Sequence, residues 1–360
     1  MSEAALSSLQ ARIREAAAQK SPLIIRGGGT KDFYGMPTTT GRILDTTAYQ
    51  GIIDYDPTEL VITARAGTPI SEIEQAMRGC GQMLACEPPC FGASATLGGM
   101  VATGLSGPRR PYAGSVRDIV LGVRVLDGKG DDLSFGGRVM KNVAGFDVAR
   151  LMTGALGTLG VLTELSLKCL PLPKVEVTHL IECPVDSAIE KMNEWGGTPL
   201  PVSATCHYGG FLAVRLSGAA AAVDAASKEI GGEIVMDGES FWESVREHTH
   251  AHFAAAASPN AALWRLAVKS TALHPDLGGA QLIEWGGALR WLVAGERTDP
   301  GRVRAWAQGN GGHATLFRAA DKSGGAFAPL KEPLLGIHRR LKAAFDPAGI
   351  LNRGRLYPDL

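Results

Sequence analysis

The residues best suited to bind a ligand form the string Arg26-Gly27-Gly28-Gly29-Thr30-Lys31, three consecutive glycines between two cations. Successive residues without side chains can simply turn a chain, or they can present consecutive main-chain N–H groups as a nest for an anion. Two familiar nucleotide loops are excluded by spacing. The string lacks the Gly-x-x-x-x-Gly-Lys-Ser/Thr of a triphosphate loop, and it lacks Gly-x-Gly-x-x-Gly with an acidic residue about 20 positions on. A second small-residue cluster is Ser94-Ala95-Thr96-Leu97-Gly98-Gly99-Met100-Val101-Ala102-Thr103, and a third is Gly154-Ala155-Leu156-Gly157-Thr158-Leu159-Gly160-Val161. Each alone is compatible with tight packing. Three together, ahead of strands or helices, suit one extended ligand lying along backbone, and a long dinucleotide meets that demand.

Other candidates carry less. His248-Thr249-His250-Ala251-His252 could hold a metal if the alternate histidines shared one side of a strand, but Phe241, Val245 and the flanking alanines favour a helix, on which the rings fan apart. One of these histidines could serve as a general base, and Arg265 or Arg290 could clamp a carboxylate; packing histidines and structural ion pairs are the simpler readings. Trp264, Trp285 and Trp291 lie in apparent strands and read as packing. Arg109 and Arg110, flanked by Pro108 and Pro111, read as a rigid exposed or cofactor-edge turn. The six cysteines at 80, 86, 90, 169, 183 and 206 never form Cys-x-x-Cys, so no iron–sulfur or zinc spacing is present and reduced thiols are expected.

Composition limits what these residues can belong to. With 45% hydrophobic and 20% charged residues the 360-residue chain is globular, and its length suits two or three domains. Lys+Arg and Asp+Glu both number 36, so no global field favours nucleic acid or anionic lipid, and any polyanion must be met locally. Glycine, at 46, is far above average usage without a collagen-like period, which points to backbone-built sites. No apolar run approaches the ~18 residues of a membrane span and no leader pattern opens the chain, so a cytoplasmic, soluble protein is expected.

The elements that must position the glycine strings follow from periodicity. Residues 4–20 read as an amphipathic helix stopped by Pro22, and 23–25 as a buried strand delivering the first loop. Residues 60–64 read as a strand, after which Thr68 caps a helix with Pro69 at its first position and Ile70, Ile73 and Met77 on one face. The turn pair Asp127-Gly128 after strand 120–126 signals a hairpin, and 161–170 alternates with Glu164, Ser166 and Lys168 on one face. A boundary is expected near 174. Residues 175–236 then read β-α-β-β-α-β, and strands near 263–269, 281–285, 289–294 and 314–317, with a helix at 301–308, form a second set. A last helix carries Leu334, Ile337, Leu341 and Phe345 ahead of an irregular tail. The expected architecture is α+β, with domains at 1–174 and 175–330 and a C-terminal helix and tail, 331–360, returning to the first.

A family resemblance sharpens this. Arg26-Gly27-Gly28-Gly29-Thr30, Ala95-Thr96-Leu97-Gly98-Gly99, Ser115-Val116-Arg117-Asp118-Ile119-Val120, Lys141-Asn142-Val143-Ala144-Gly145-Phe146-Asp147, Gly157-Thr158-Leu159-Gly160-Val161 and Phe345-Asp346-Pro347-Ala348-Gly349-Ile350-Leu351-Asn352 occur in this order, and the chain resembles the FAD-binding flavoproteins of the vanillyl-alcohol oxidase (PCMH-type) family. Within it, Lys31-Asp32-Phe33-Tyr34-Gly35, Gly107-Pro108-Arg109-Arg110-Pro111 and Trp285-Gly286-Gly287-Ala288-Leu289-Arg290-Trp291 are most similar to the FAD-binding subunits of bacterial glycolate oxidases. The resemblance implies a PCMH-type FAD domain of two α+β subdomains with a smaller, ferredoxin-like α+β cap. It implies noncovalent FAD, since covalent members use a histidine where this first loop has glycine. Arg26 to Lys31 would hold the pyrophosphate, while Ser94, Ala95, Thr96, Gly98, Gly99, Ala102, Thr103, Ser106, Gly114, Gly157 and Val161 would line the rest of the cofactor, with Asn142 and Asn352 close by. Phe146 and Arg353 depart from the usual Tyr and Pro. The implied substrate is a small 2-hydroxy acid such as glycolate, and the implied partners are a homologous FAD-binding D subunit and an iron–sulfur subunit, with any membrane association peripheral through them. The His-x-Gly-Asp-x-Asn-x-His motif of the family's D-2-hydroxy-acid dehydrogenases is absent here, which leaves open a relay or assembly role without substrate oxidation.

Overall fold

Leu9, Ile13 and Ala16 recur at helical spacing, and in the computed structural model the helix Ser2–Gln19 buries all three against Leu23, Leu44, Ile350 and Leu351. The structure describes residues 2–139, 145–257, 261–295, 297–358 and 360. The chain divides into two compact units, Met1–Leu105 with Ser115–Leu172 and Pro329–Leu360, and Ser106–Gly114 with Pro173–Ala328.

The first unit carries two main sheets and a short antiparallel pair, Gln82–Met83 with Leu170–Pro171. Strand Leu23–Arg26 pairs in parallel with Arg42–Asp45, and Leu351 of the tail bridges Leu23 on its other side, so the strand that delivers the glycine loop is held from both edges. Five antiparallel strands make the second sheet, in the order Ile52–Asp56, Val61–Arg65, Val161–Lys168, Val120–Leu126, Asp132–Gly136. The hairpin at Asp127 forms as expected, its carboxylate accepting from the amides of Lys129 and Asp131 at 2.8 and 2.9 Å. Two expectations shift. Strand Val161–Lys168 is central, so its polar face is also covered, with Ser166 bonded to Thr63 and Glu164 to Tyr49 and Arg124. The helix Ile70–Gly79 buries Ile70, Ile73 and Met77 as its pattern requires, but its cap is Pro69, because the Thr68 hydroxyl accepts from the Gly51 amide at 2.8 Å instead.

The second unit is one eight-stranded antiparallel sheet in the order Glu233–Ile234, Val175–Glu182, Phe211–Gly218, Val202–Tyr208, Ala280–Glu284, Leu289–Val293, Leu263–Ala267, His313–Arg318. In each half the four strands, numbered along the chain, lie in the order 4-1-3-2, and the halves meet edge to edge through their second strands. Helices Val185–Gly196 and Ala220–Ile230 bury Ile189, Met192, Val223 and Ala226 over the first half. In the second half no helix links the first strand to the second, and residues 268–279 cross as irregular backbone. Such a crossing leaves carbonyls unpaired. Arg290, with no exposed surface, supplies donors instead: Nη1 to Leu273 O at 3.0 Å, Nη2 to Ala272 O and Nε to Gly287 O at 3.4 Å.

Candidate functional site

The cleft in the first unit is built by the end of strand Leu23–Arg26, the helix Leu97–Thr103, the turn at 156–160 and the tail. It opens to solvent, and the empty space along it, solvent at its mouth included, is about 710 Å³. Of the residues expected at a cofactor, Arg26, Gly27, Gly28, Gly29, Thr30, Lys31, Thr96, Gly98, Gly99, Ala102, Thr103, Gly157 and Asn352 line it. Residues more than 300 positions apart thus meet on one wall.

The first loop is open toward the cleft. Among the described residues, the amides of Gly28, Gly29 and Thr30 donate to no protein acceptor, so consecutive N–H groups remain for an anion. Gly28 tolerates nothing larger, because a Cβ there would lie 1.5 Å from Ser94 O. Charge supports the same use. Among the described residues, the charged ones in the lining are Arg26, Lys31 and Arg355 against the carboxylate of Asp32, a local net of +2 in a chain of zero net charge. Arg26 Nε meets Asp32 at 2.8 Å, Lys31 Nζ donates to Cys90 O at 3.1 Å, and Arg355 Nη2 donates to the carbonyls of Lys31 and Asp32 at 3.3 and 3.1 Å. Burial lowers the Arg355 pKa, opposed by Asp32; a guanidinium stays charged regardless.

The tail lines the cleft beside that loop. Asn352, buried and at φ +40°, accepts from Ile25 N at 2.8 Å and donates to Leu156 O at 2.6 Å, so its amide bridges the glycine-loop strand and the 156–160 turn.

Other expected residues lie apart from the cleft. Ser94 packs behind the loop, donating to Gly28 O at 2.8 Å, while Ala95 and Val161 point into core. Ser106 and Gly114 belong to the second unit, because the chain leaves the first at Leu105 and returns at Ser115. Asn142, with Lys141, Val143 and Ala144, lies outside the described residues. Gly160, inside the third glycine string, lines the cleft as well. Sequence reasoning missed Ile25, Asp32, Thr46, Ala66, Leu156, Leu162 and Arg355. Ile25, Asp32 and Leu156 adjoin expected residues and could have been found by extension; Thr46, Ala66, Leu162 and Arg355 had no signal.

The second unit's candidates are committed elsewhere. Arg109 is no exposed turn residue: it is buried, pairing with Glu176 at 2.6 Å, while Arg110 lies 4.4 Å over the Trp285 ring. Arg290 is spent on carbonyls, and Arg265 lies 5.1 and 6.0 Å from the Trp285 and Trp291 rings. The helix expected through the histidines breaks instead. Helix Gly238–Arg246 ends, His248 turns at φ +57° to stack on Phe253 at 4.0 Å, and His250 caps the short helix Ala251–Ala254. Ring stacking in the core outweighs helix continuation there. Burial pushes the His252 pKa down to about 4 and that of His248 well below its usual value. Among the described residues no group of three side chains is arranged to hold a metal.

Comparison with known proteins agrees with this geometry. Residues 5–136 match the family described as FAD binding domain. The chain is 48% identical to the glycolate oxidase subunit GlcE of Escherichia coli (strain K12) over 353 residues, 98% of this chain and 97% of that protein. It is 33% identical to the glycolate oxidase subunit GlcD of Bacillus subtilis (strain 168) over 160 residues, 44% of this chain and 34% of that one. A solved alkyldihydroxyacetonephosphate synthase shares the fold, with a TM-score of 0.67 at 15% identity over 96% of this chain and 73% of the other.

Fold and cleft together define a PCMH-type flavoprotein, an FAD-dependent oxidoreductase whose cofactor is FAD. Unpaired amides and a net positive lining fit a dinucleotide with a diphosphate at its centre. More particularly, the chain belongs to the family of the glycolate oxidase subunit GlcE.

Proposed function

We propose that this chain is the FAD-binding subunit of a complex that oxidises glycolate or a similar small 2-hydroxy acid, with FAD held noncovalently in the cleft of the first unit. When bound, FAD supplies the acceptor for the hydride leaving the substrate α-carbon. The chain's own share is binding and orientation. The amides of Gly28, Gly29 and Thr30 hydrogen-bond the diphosphate, Arg26, Lys31 and Arg355 balance its charge, and Asn352 fixes the wall beside them. Noncovalent attachment follows from the lining, which contains no histidine, cysteine or tyrosine among the described residues. Electrons leave to a separate iron–sulfur subunit, because the cysteines of this chain lack cluster spacing. A homologous D subunit is the other partner. Among the described residues no helix is long and apolar enough to cross a membrane, so attachment to one would run through those partners.

The observation that carries this reading is the convergence of the three small-residue strings on one cleft in a chain 48% identical, end to end, to a glycolate oxidase subunit. A second reading is an FAD-binding relay or assembly subunit that does not itself oxidise substrate. It is favoured by the engaged histidines: His207 bonds Cys183 O, His252 bonds Trp291 O, and the half-buried His248 packs among the rings of Phe253, Trp291 and Phe317. Anaerobic addition of glycolate to the purified, FAD-replete subunit separates the two. Bleaching of the flavin supports direct oxidation, and a spectrum that stays yellow until the D subunit is added supports the relay. A cofactor-supplemented chain that retains no flavin overturns both.

A further inference from the structure

Lys342 lies one turn before the end of the last helix, Leu334–Phe345, with its side chain buried. A buried ammonium is costly unless it is paired and its donors are used. Here all three are. Nζ donates to the Asp346 carboxylate at 2.7 Å, to Thr158 O at 2.8 Å and to Leu351 O at 2.7 Å. Asp346, whose side chain is wholly buried, also accepts from the amides of Ile350 and Leu351 at 3.1 and 2.8 Å. The pair therefore ties the helix to two places at once: the residue after Gly157 and the residue before Asn352. Both Gly157 and Asn352 line the cleft, whereas Lys342 and Asp346 do not.

An apolar pair would avoid the cost of burying two charges, but it would leave the carbonyls of Thr158 and Leu351 and the amides of Ile350 and Leu351 without these partners. What hydrocarbon cannot do is direct three carbonyl and carboxylate oxygens toward one point. We propose that Lys342 is a positioning residue for the cofactor: with Asp346 it fixes the Thr158 turn against the Leu351 strand so that Asn352 is held at the cleft. The inference rests on the reading that FAD occupies this cleft.

The test is FAD titration of the apo full-length chain, followed by flavin fluorescence at a temperature where circular dichroism shows each variant folded. Lys342→Met and Asn352→Ala are each expected to weaken FAD binding about tenfold, the equivalent of one lost hydrogen bond of ~1.4 kcal/mol. If Lys342 acts through Asn352, the double variant binds within about twofold of either single one. Lys342→Met/Asp346→Leu, which leaves no uncompensated charge, recovers part of the apo melting temperature lost in Lys342→Met without recovering FAD affinity; a merely structural role would bring the two back together. If Asn352→Ala binds FAD like the parent, the cleft reading itself fails. If Asn352→Ala binds weakly while Lys342→Met binds like the parent, or if the two losses multiply, the positioning inference is overturned. Should Lys342→Met fail to fold, Asp346→Asn, which keeps the side-chain shape, is read against the same outcomes.

Discussion

Gly157→Ala isolates the contact between the 156–160 turn and the tail. The glycine has φ +72°, and a methyl group there would lie 2.7 Å from Asn352 Nδ2 and 3.2 Å from Ile25 Cδ1. An L-residue in the left-handed region costs ~1–2 kcal/mol, and displacing the Asn352 amide leaves buried groups unpaired at roughly 1–3 kcal/mol more. Gly154 provides the control. It has φ +83°, but the nearest atom to an added methyl is Thr103 O at 4.0 Å, so Gly154→Ala carries the backbone term alone. The difference between the variants is therefore about 1–3 kcal/mol, or roughly 5 °C in melting temperature for a unit of this size. If Asn352 contacts the cofactor, Gly157→Ala also weakens FAD binding about tenfold, while Gly154→Ala stays within about twofold. Calorimetry of the apo chains and FAD titration give both numbers. Equal losses in the two variants would refute the argument that Asn352 is what the turn must clear.

Three further outcomes follow from named contacts. Gly28→Ala is expected to yield protein without retained flavin, because its Cβ would sit 1.5 Å from Ser94 O and the loop must move; a yellow, FAD-replete variant on purification contradicts this. Arg290→Met withdraws donors from the carbonyls of Ala272, Leu273 and Gly287 and, net of the relieved desolvation, should cost about 3 kcal/mol, read as a drop of several degrees in melting temperature with FAD still bound. Acidification should weaken the second unit: His252, with its pKa held near 4 by burial, takes up a proton more readily unfolded, near pH 6.5, so stability present above that pH falls as pH drops toward 4, by about 2 kcal/mol between pH 7 and pH 5. Urea melts of His252→Gln should show a smaller loss over that interval, and an equal loss would exclude His252 as the cause.

What the sequence made legible were requirements met within a few residues. A strand feeding three glycines, an Asp-Gly turn and the rhythm of the second unit are local, and each has the structure its local chemistry asks for. Long-range demands were not legible. Thr68 reads as a helix cap until Gly51 claims its hydroxyl, and the helix through His248 reads as continuous until Phe253 and Trp291 offer the ring a better place. Arg355 and Thr46 gave no sign at all, since nothing in their surroundings along the chain shows that they reach the cleft. Lys342 is the clearest case. In sequence it is one cation on a basic amphipathic helix, and only the approach of Thr158 and Leu351 turns it into a tether.

The placement of the lining has a consequence for how this chain can fail. Among the described residues, every one lining the cleft belongs to the first unit, including the tail contributed from the far end of the chain. If FAD sits there as proposed, its retention depends on three main-chain amides, a handful of cations and a tether. Damage confined to the second unit, as in Arg290→Met, should leave a yellow protein, whereas loss of the tether should leave a folded but pale one. Colour thus reports on the first unit, whereas melting temperature responds to damage in either. A variant in the second unit that lost flavin while the first stayed folded would mean that the cleft described here is only part of the cofactor site.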